Sequence, residues 1–394
     1  MAWKVSYRHI GLLAALGSLA LVPIGSSPPP NSGDPLPGLA PDELARFENG
    51  KTEFADVETV ADGLGPVFND VSCANCHASP AVGGGSARLE TRFGTRKRNG
   101  QFDPLSQYGG SLIQSQGIGP YGECDYVGEI VPPEATIVAG RRTTPLFGLG
   151  LVDAVPDQTF RQIAAQEARG PDGCGGTVST VTNLTTGLPA VGKFGWKAQN
   201  PTLFQFAGDA YLNEMGITNP QFPNENCPQG DCASLSCNPE PGLNDDGDDV
   251  QAFADFMTML APPPRGKITM AASLGENLFD KIGCANCHLA TLQTGSSPIA
   301  ALDHVTFHPY SDFLLHDMGS LGDGITQNQA TGRLMRTAPL WGVRNVTIFL
   351  HDGRASTLDQ AISDHDGQAR SARNRYEQLS GWQKAQLIAF LNSL

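Results

Sequence analysis

Apolar residues recur at helical spacing over Asp248–Leu260, where Val250, Phe253, Phe256, Met257 and Leu260 share one face. Asp residues crowd the start of that run, where the positive end of a helix dipole favours them, and Ala261-Pro262-Pro263-Pro264 stops it. Gly381–Leu394 (GWQKAQLIAFLNSL) has the same character. A further helix is expected from Glu43 to about Asn49, opened by Pro41-Asp42. The stretch 85–240 is rich in Gly, Asn and Pro and holds only short apolar runs, so it reads as loops with a few short strands and helices.

The N-terminus has a different pattern. Lys4, Arg8 and His9 precede an apolar run from Ile10 to Ile24, followed by Gly25-Ser26-Ser27. This is the shape of an export signal, and the run is shorter than the ~20 residues that span a bilayer. We expect a cleaved signal over 1–26, with an uncleaved anchor as the alternative; membrane contact is expected only in that second case. Residues 27–42 form a Pro-rich lead-in. The expected location is the periplasm.

Cys73-Ala74-Asn75-Cys76-His77 and Cys284-Ala285-Asn286-Cys287-His288 are two C-x-x-C-H motifs, the haem-attachment pattern of c-type cytochromes. The expected fold is therefore mainly α: two cytochrome c-like haem domains, 43–262 and 263–394, divided at the Pro triplet, with long loop-rich insertions in the first. An internal repeat supports this. Gly65-Pro66-Val67-Phe68 precedes Cys73, and Gly275-Glu276-Asn277-Leu278-Phe279 precedes Cys284. Phe68 and Phe279 each lie five residues before their cysteine, and both motifs read Cys-Ala-Asn-Cys-His. In each module a helix is expected to carry the aromatic residue towards the haem and end at the motif.

Those motifs carry the chemistry. In C-x-x-C-H two thiols form thioethers to a haem, and the adjacent His falls under the iron. Cys73, Cys76, Cys284 and Cys287 are the expected attachment residues, with His77 and His288 as iron ligands. The face opposite each His decides function, because a strong sixth ligand gives an electron-transfer haem and an open face admits a small oxidant. His304, His308, His316, His351, His365, Met318 and Met335 are candidates that spacing alone does not separate. The remaining five cysteines, Cys124, Cys174, Cys227, Cys232 and Cys237, should pair in an oxidising compartment with one left over. The Cys227/Cys232/Cys237 cluster is read as a loop disulfide rather than a metal site.

Charge narrows the partners. The formal net charge of −14, from 26 basic and 40 acidic residues, excludes nucleic acid as an expected partner. A small redox protein, as electron donor or acceptor, and a small-molecule oxidant or substrate are expected.

The run Arg336-Thr337-Ala338-Pro339-Leu340, Phe349-Leu350-His351-Asp352-Gly353 and Ser356-Thr357-Leu358-Asp359-Gln360-Ala361-Ile362 resembles the bacterial dihaem cytochrome c peroxidase superfamily. A closer resemblance is to its di-haem oxidoreductase subfamily, also called thiol oxidoreductases. Its marks include Gly65–Asn69, Arg141–Ala154, Phe194–Gln199, Asn213–Thr218 and Leu314–Gly319. The resemblance implies that His365 is the sixth ligand of the second haem, where the peroxidases place Met. It implies a low-spin relay haem there and a reaction site at the first haem. In the peroxidases that site uses a Gln and, ten residues on, a Glu. Here Gln116 takes the Gln position and Tyr126 the Glu position, with Glu123 and Glu129 as nearby acids; Gln116 and Glu129 are the expected catalytic pair. Trp196 and Trp341 are candidates for an aromatic between the haems, and His351 for a structural bond to a haem propionate. The relatives hold a Ca²⁺ between their haem domains, so calcium is a further implied cofactor. The Asn244–Asp249 run lacks the bidentate Glu of a calcium loop and reads as an acidic helix start. The function implied is a haem-dependent, peroxidase-like oxidoreductase. A pure electron-transfer dihaem cytochrome c, or an oxygenase like the latex-cleaving dihaem proteins, are the alternatives.

Overall fold

Two pairs of crossed helices frame the two Cys-Ala-Asn-Cys-His motifs. The structure, a computed structural model, describes residues 29–170 and 173–394. The expected export signal lies outside the described residues. The α-helices described are α1 (Pro41–Glu53), α2 (Cys73–Cys76), α3 (Leu149–Asp153), α4 (Asp157–Glu167), α5 (Leu203–Met215), α6 (Asp248–Met259), α7 (Met270–Ile282), α8 (Leu358–Ser363), α9 (Arg370–Glu377) and α10 (Gly381–Leu391).

Helix α1 crosses α6, and α7 crosses α10. Each crossing turns on one glycine. A Cβ on Gly50 would run into the carbonyl of Ala252 on α6, and one on Gly275 into that of Gln386 on α10. Four residues after each glycine comes a phenylalanine, and both do the same work. Phe54 packs on Phe256 (ring centroids 5.0 Å) and against the His77 imidazole (5.9 Å). Phe279 packs on Phe390 (5.2 Å) and against the His288 imidazole (6.2 Å). The repeat is therefore real, but its first copy is Gly50/Phe54. Phe68 does not sit on a helix: it lies in a two-residue strand, Val67–Phe68, paired with Gln116–Gly117. Phe54 precedes Cys73 by 19 residues, whereas Phe279 precedes Cys284 by five, so matching by distance from the cysteine selects the wrong residue.

The local signals behave as their chemistry requires. Asp245 Oδ1 accepts from the amides of Gly247 (3.0 Å) and Asp249 (3.2 Å), so the acidic run caps α6. Ser380 and Gln383 form a reciprocal capping box at the start of α10. Thr269 Oγ1 caps α7 by accepting from Ala272 N (3.1 Å). Helix α6 ends at Met259, before the prolines that cannot continue it.

The expectation of a mainly α fold is not met: helix accounts for 35% of the chain and strand for 16%. The strand comes from the segments between the framing helices. Leu89–Arg96 forms the centre of a three-stranded antiparallel sheet, between Phe102–Asp103 and Ile137–Arg142. Short hairpins follow at Gly119–Tyr121/Cys124–Tyr126 and Ser179–Thr182/Pro189–Gly192, and strand Leu315–Asp317 pairs Leu334–Arg336. Frequent Gly and Pro keep helices from propagating there, while closely spaced chain reversals satisfy the backbone by pairing across turns. Two disulfides, Cys124–Cys237 and Cys227–Cys232, tie down the loop before α6. Cys174 is buried, and its thiol donates to Gln368 O at 3.2 Å.

Candidate functional site

Each motif opens into a cavity. The cavity at Cys284, Cys287 and His288, about 240 Å³, is walled largely by apolar side chains. The cavity at Cys73, Cys76 and His77, about 580 Å³, is walled by many charged ones.

The two motif histidines share one contact, an Nδ1 bond to a main-chain carbonyl, and His77 also interacts with the Thr144 backbone. His77 Nδ1 donates to Gly84 O at 2.9 Å, and His288 Nδ1 to Tyr310 O at 2.9 Å. A carbonyl can only accept, so each Nδ1 carries the proton, and Nε2 is the nitrogen left with a lone pair for a metal. Burial lowers both imidazoles to about 4, which keeps them neutral and ligand-competent. Burial also pushes the thiols up: Cys73 and Cys284 to about 12, and Cys76 to about 11. A redox dithiol needs the opposite, a lowered thiol, and none of the four is disulfide-bonded. The donor set of two thiols and one oriented imidazole at a cavity fits haem c in both places.

His365 enters the second cavity from the far end of α8. Thr357 Oγ1 caps that helix by accepting from Gln360 N (3.1 Å), and His365 Nδ1 donates to Ala361 O at 2.7 Å. Its Nε2 is therefore the lone-pair nitrogen, as in His288. The two imidazoles are close enough that charge on one lowers the basicity of the other. The Thr357-Leu358-x-x-Ala361-Ile362 pattern thus has a physical content: a cap, a short helix, and the carbonyl that aims His365.

The other candidate ligands divide. His304 and His308 are exposed. His316 is committed on both sides, with Nε2 2.9 Å from Asp312 Oδ2 and Nδ1 3.5 Å from Cys287 Sγ. Met318, Met335 and His351 line the second cavity. Trp341 lines it too and packs on Phe307, whereas Trp196 lines both cavities. The Trp196 indole N–H donates to Arg142 O at 3.0 Å.

Of the expected catalytic pair, Gln116 lines the first cavity, with its amide donating to Asn69 O at 2.6 Å. Glu129 lies elsewhere. It is buried under the disulfide loop, where its carboxylate accepts from Gln229 N (2.6 Å) and Gln114 N (2.8 Å), and it lines neither cavity. Tyr126 is likewise turned away, bonded to Ser234 O.

Four acids among the described residues face the first cavity, Asp70, Glu90, Asp209 and Glu214. Asp70 pairs with Arg88, and Asp209 accepts from the side-chain amides of Asn200 and Asn213, which leaves Glu90 and Glu214 as a carboxyl pair. Glu90 and Arg92 sit two apart on the central strand, hence on one face, and Arg141 is the cross-strand partner of Glu90. Arg92 reaches both Glu90 oxygens (3.0 and 3.1 Å). Burial would raise the Glu90 carboxyl, but Arg92 and Arg141 outweigh it and hold it below its ordinary value. Glu214, from α5, hydrogen-bonds Glu90 and accepts from Asn69 Nδ2 at 2.8 Å. Burial, and then the Glu90 charge, push Glu214 up to about 7. This carboxyl pair was not assigned from sequence, although Glu214 falls inside the Asn213–Thr218 mark. Its two members are 124 residues apart, and no local pattern joins them.

A sequence model of the family described as "Di-haem oxidoreductase, putative peroxidase" matches residues 133–394, more than half of the 394-residue chain. The match includes the second motif and leaves the first outside it. No curated protein matches the chain. Solved structures similar to it include hydrazine synthase of Kuenenia stuttgartiensis (14% identity, 98% of this chain and 100% of that one, TM-score 0.39). Another is a MauG-like protein associated with microbial copper homeostasis (16%, 93% and 93%, TM-score 0.40). A third is the diheme peroxidase BthA of Burkholderia thailandensis E264 (14%, 90% and 86%, TM-score 0.40).

Proposed function

We propose, from the premise that the chain belongs to the di-haem oxidoreductase family, that it is an exported c-type cytochrome that reduces a small oxidant at the His77 cavity. The observation that carries this is an asymmetry. The second cavity offers two oriented imidazoles, His288 and His365, whereas the first offers one imidazole and a proton-holding carboxyl pair.

When bound, haem supplies an iron that stores one electron and, where the protein gives it a single ligand, a position for a molecule such as hydrogen peroxide. Cys73/Cys76 and Cys284/Cys287 hold the two groups, with His77 and His288 as ligands. His365 closes the second site and leaves it to electron transfer. At the first, Glu214 holds a proton near neutrality while Glu90 stays ionised beside it, the separation of basicities that general acid catalysis requires. Reduction of one peroxide to two waters takes two electrons and two protons, and Glu214 is placed to deliver one of those protons. Trp196, shared by both cavities, is the aromatic bridge between them. The two disulfides support an oxidising compartment, in keeping with export to the periplasm. A small redox protein is the electron donor.

Rapid mixing of the fully reduced protein with one equivalent of hydrogen peroxide tests this. Both haems should be oxidised together, two electrons per peroxide. Reoxidation no faster than in buffer with dissolved oxygen alone contradicts it.

A further inference from the structure

Two arginines face the second cavity without an acid to pair with. Arg336 is 6% exposed; its Nε donates to Gly195 O (2.8 Å), its Nη1 to Thr337 O (3.1 Å), and its guanidinium lies over the Phe313 ring. Arg142 lines both cavities, and its Nε donates to Leu350 O (3.2 Å). Neither guanidinium takes part in an ion pair seen among the described residues. The acid that acts on Arg336 from a distance, Asp312, is taken by His316. Burial lowers both arginines to about 10.

The fold supplies carboxylates to its other buried cations nearby. Arg141, adjacent in sequence, reaches Asp323 at 2.7 Å, and Lys197 reaches the same carboxylate at 2.8 Å. A buried cation left without a counter-charge destabilises the fold, because the charge has lost its hydration and gained no opposite charge in return. Main-chain carbonyls accept from each guanidinium without neutralising it. Both arginines are bonded to the same dipeptide: the Trp196 indole donates to Arg142 O, and Arg336 N donates to Trp196 O (2.9 Å). His351 stands on the same wall, but burial lowers it to about 4, so it contributes an N–H and no charge.

We propose that Arg142 and Arg336 form a carboxylate-binding site whose anions are the propionates of the haem attached at Cys284/Cys287, with Arg142 also reaching a propionate of the haem at Cys73/Cys76. This deepens the proposed function and rests on both cavities holding haem. The arginines balance the propionate charge and set the electron affinity of the two sites. Arg142 couples them, and Arg336 acts on the second alone.

The test is spectroelectrochemical titration of the holoprotein and of Arg336→Gln, Arg142→Gln and Arg336→Lys, with covalent haem counted first by intact mass. Two haems in the wild-type protein establish the reading on which the proposal rests; fewer than two sink that reading separately. R336Q should make reduction of the low-spin haem less favourable by about tenfold in its equilibrium constant, the order expected for losing one near charge, and leave the other haem unchanged. R142Q should shift both haems, and R336K should recover most of the R336Q effect. Where a Gln variant fails to accumulate, R336K alone decides through the resonance Raman propionate bending band, which should shift. Unchanged potentials in the Gln variants, or an unshifted band in R336K, overturn the proposal. A wild-type potential that moves with sodium acetate at fixed ionic strength, and ceases to do so in R336Q, assigns the site to a soluble carboxylate and overturns the propionate assignment.

Discussion

His288 and His365 share one cavity, and each has its Nδ1 tied to a main-chain carbonyl, at 2.9 Å from Tyr310 O and 2.7 Å from Ala361 O. In the function proposed above, two neutral imidazoles so oriented would be the two ligands of one iron. The first cavity offers His77 and no second imidazole among its lining residues. The division of labour proposed above follows from that difference.

Replacing His365 with alanine should therefore change the second haem alone. The low-spin signature assigned to it should give way to a high-spin or water-ligated one in the absorption spectrum, with two covalent haems retained by mass. A low-spin spectrum that survives unchanged means another side chain, such as Met318 or Met335, is the ligand.

The Glu90–Glu214 pair gives a pH dependence with a definite sign. Burial and the Glu90 charge raise Glu214 to about 7, so its proton is present below that pH and lost above it. Peroxide turnover should fall as pH rises through about 7. Glu214→Gln should flatten that limb and lower the rate by about 10²-fold. The folded state holds this proton where the unfolded chain has lost it. Stability should therefore decline as pH rises from the ordinary carboxylate range to about 7, and the variant should lose that slope. An alkaline limb that persists in the variant would remove Glu214 from the mechanism.

The helix crossings predict a stability effect far from either cavity's chemistry. Gly275→Ala places a methyl against the Gln386 carbonyl and the Phe390 side chain, and should cost about 1–3 kcal/mol in denaturant unfolding. An alanine at exposed Gly381, whose Cβ would meet nothing, should cost far less. Equal effects would mean that the α7–α10 contact relaxes freely.

What the sequence disclosed follows from how local each signal is. Asp248–Met259 was legible because an apolar period, an acidic start and a proline stop lie close together, and Gly381–Leu391 from its apolar period. The haem motifs were legible because five consecutive residues carry the chemistry. His365 needed a resemblance, since nothing local separates a ligand from a surface histidine in Asp364-His365-Asp366. The Phe54/Phe279 equivalence was hidden by the longer excursion between α1 and the first motif. The sheet around Glu90 and Arg92 was hidden for another reason. One of its faces lines a polar cavity, so Leu89–Arg96 lacks the clean apolar alternation of a strand over a hydrophobic core. Glu129 looked suitable by proximity to Gln116, but it anchors the backbone of a disulfide-tied loop.

Low-temperature EPR of the oxidised protein, before and after hydrogen peroxide, tests the central claim most directly. The account predicts one high-spin and one low-spin ferric signal, with the high-spin signal consumed by peroxide. Two low-spin signals indifferent to peroxide, including after partial reduction, would contradict it and leave a protein that only carries electrons.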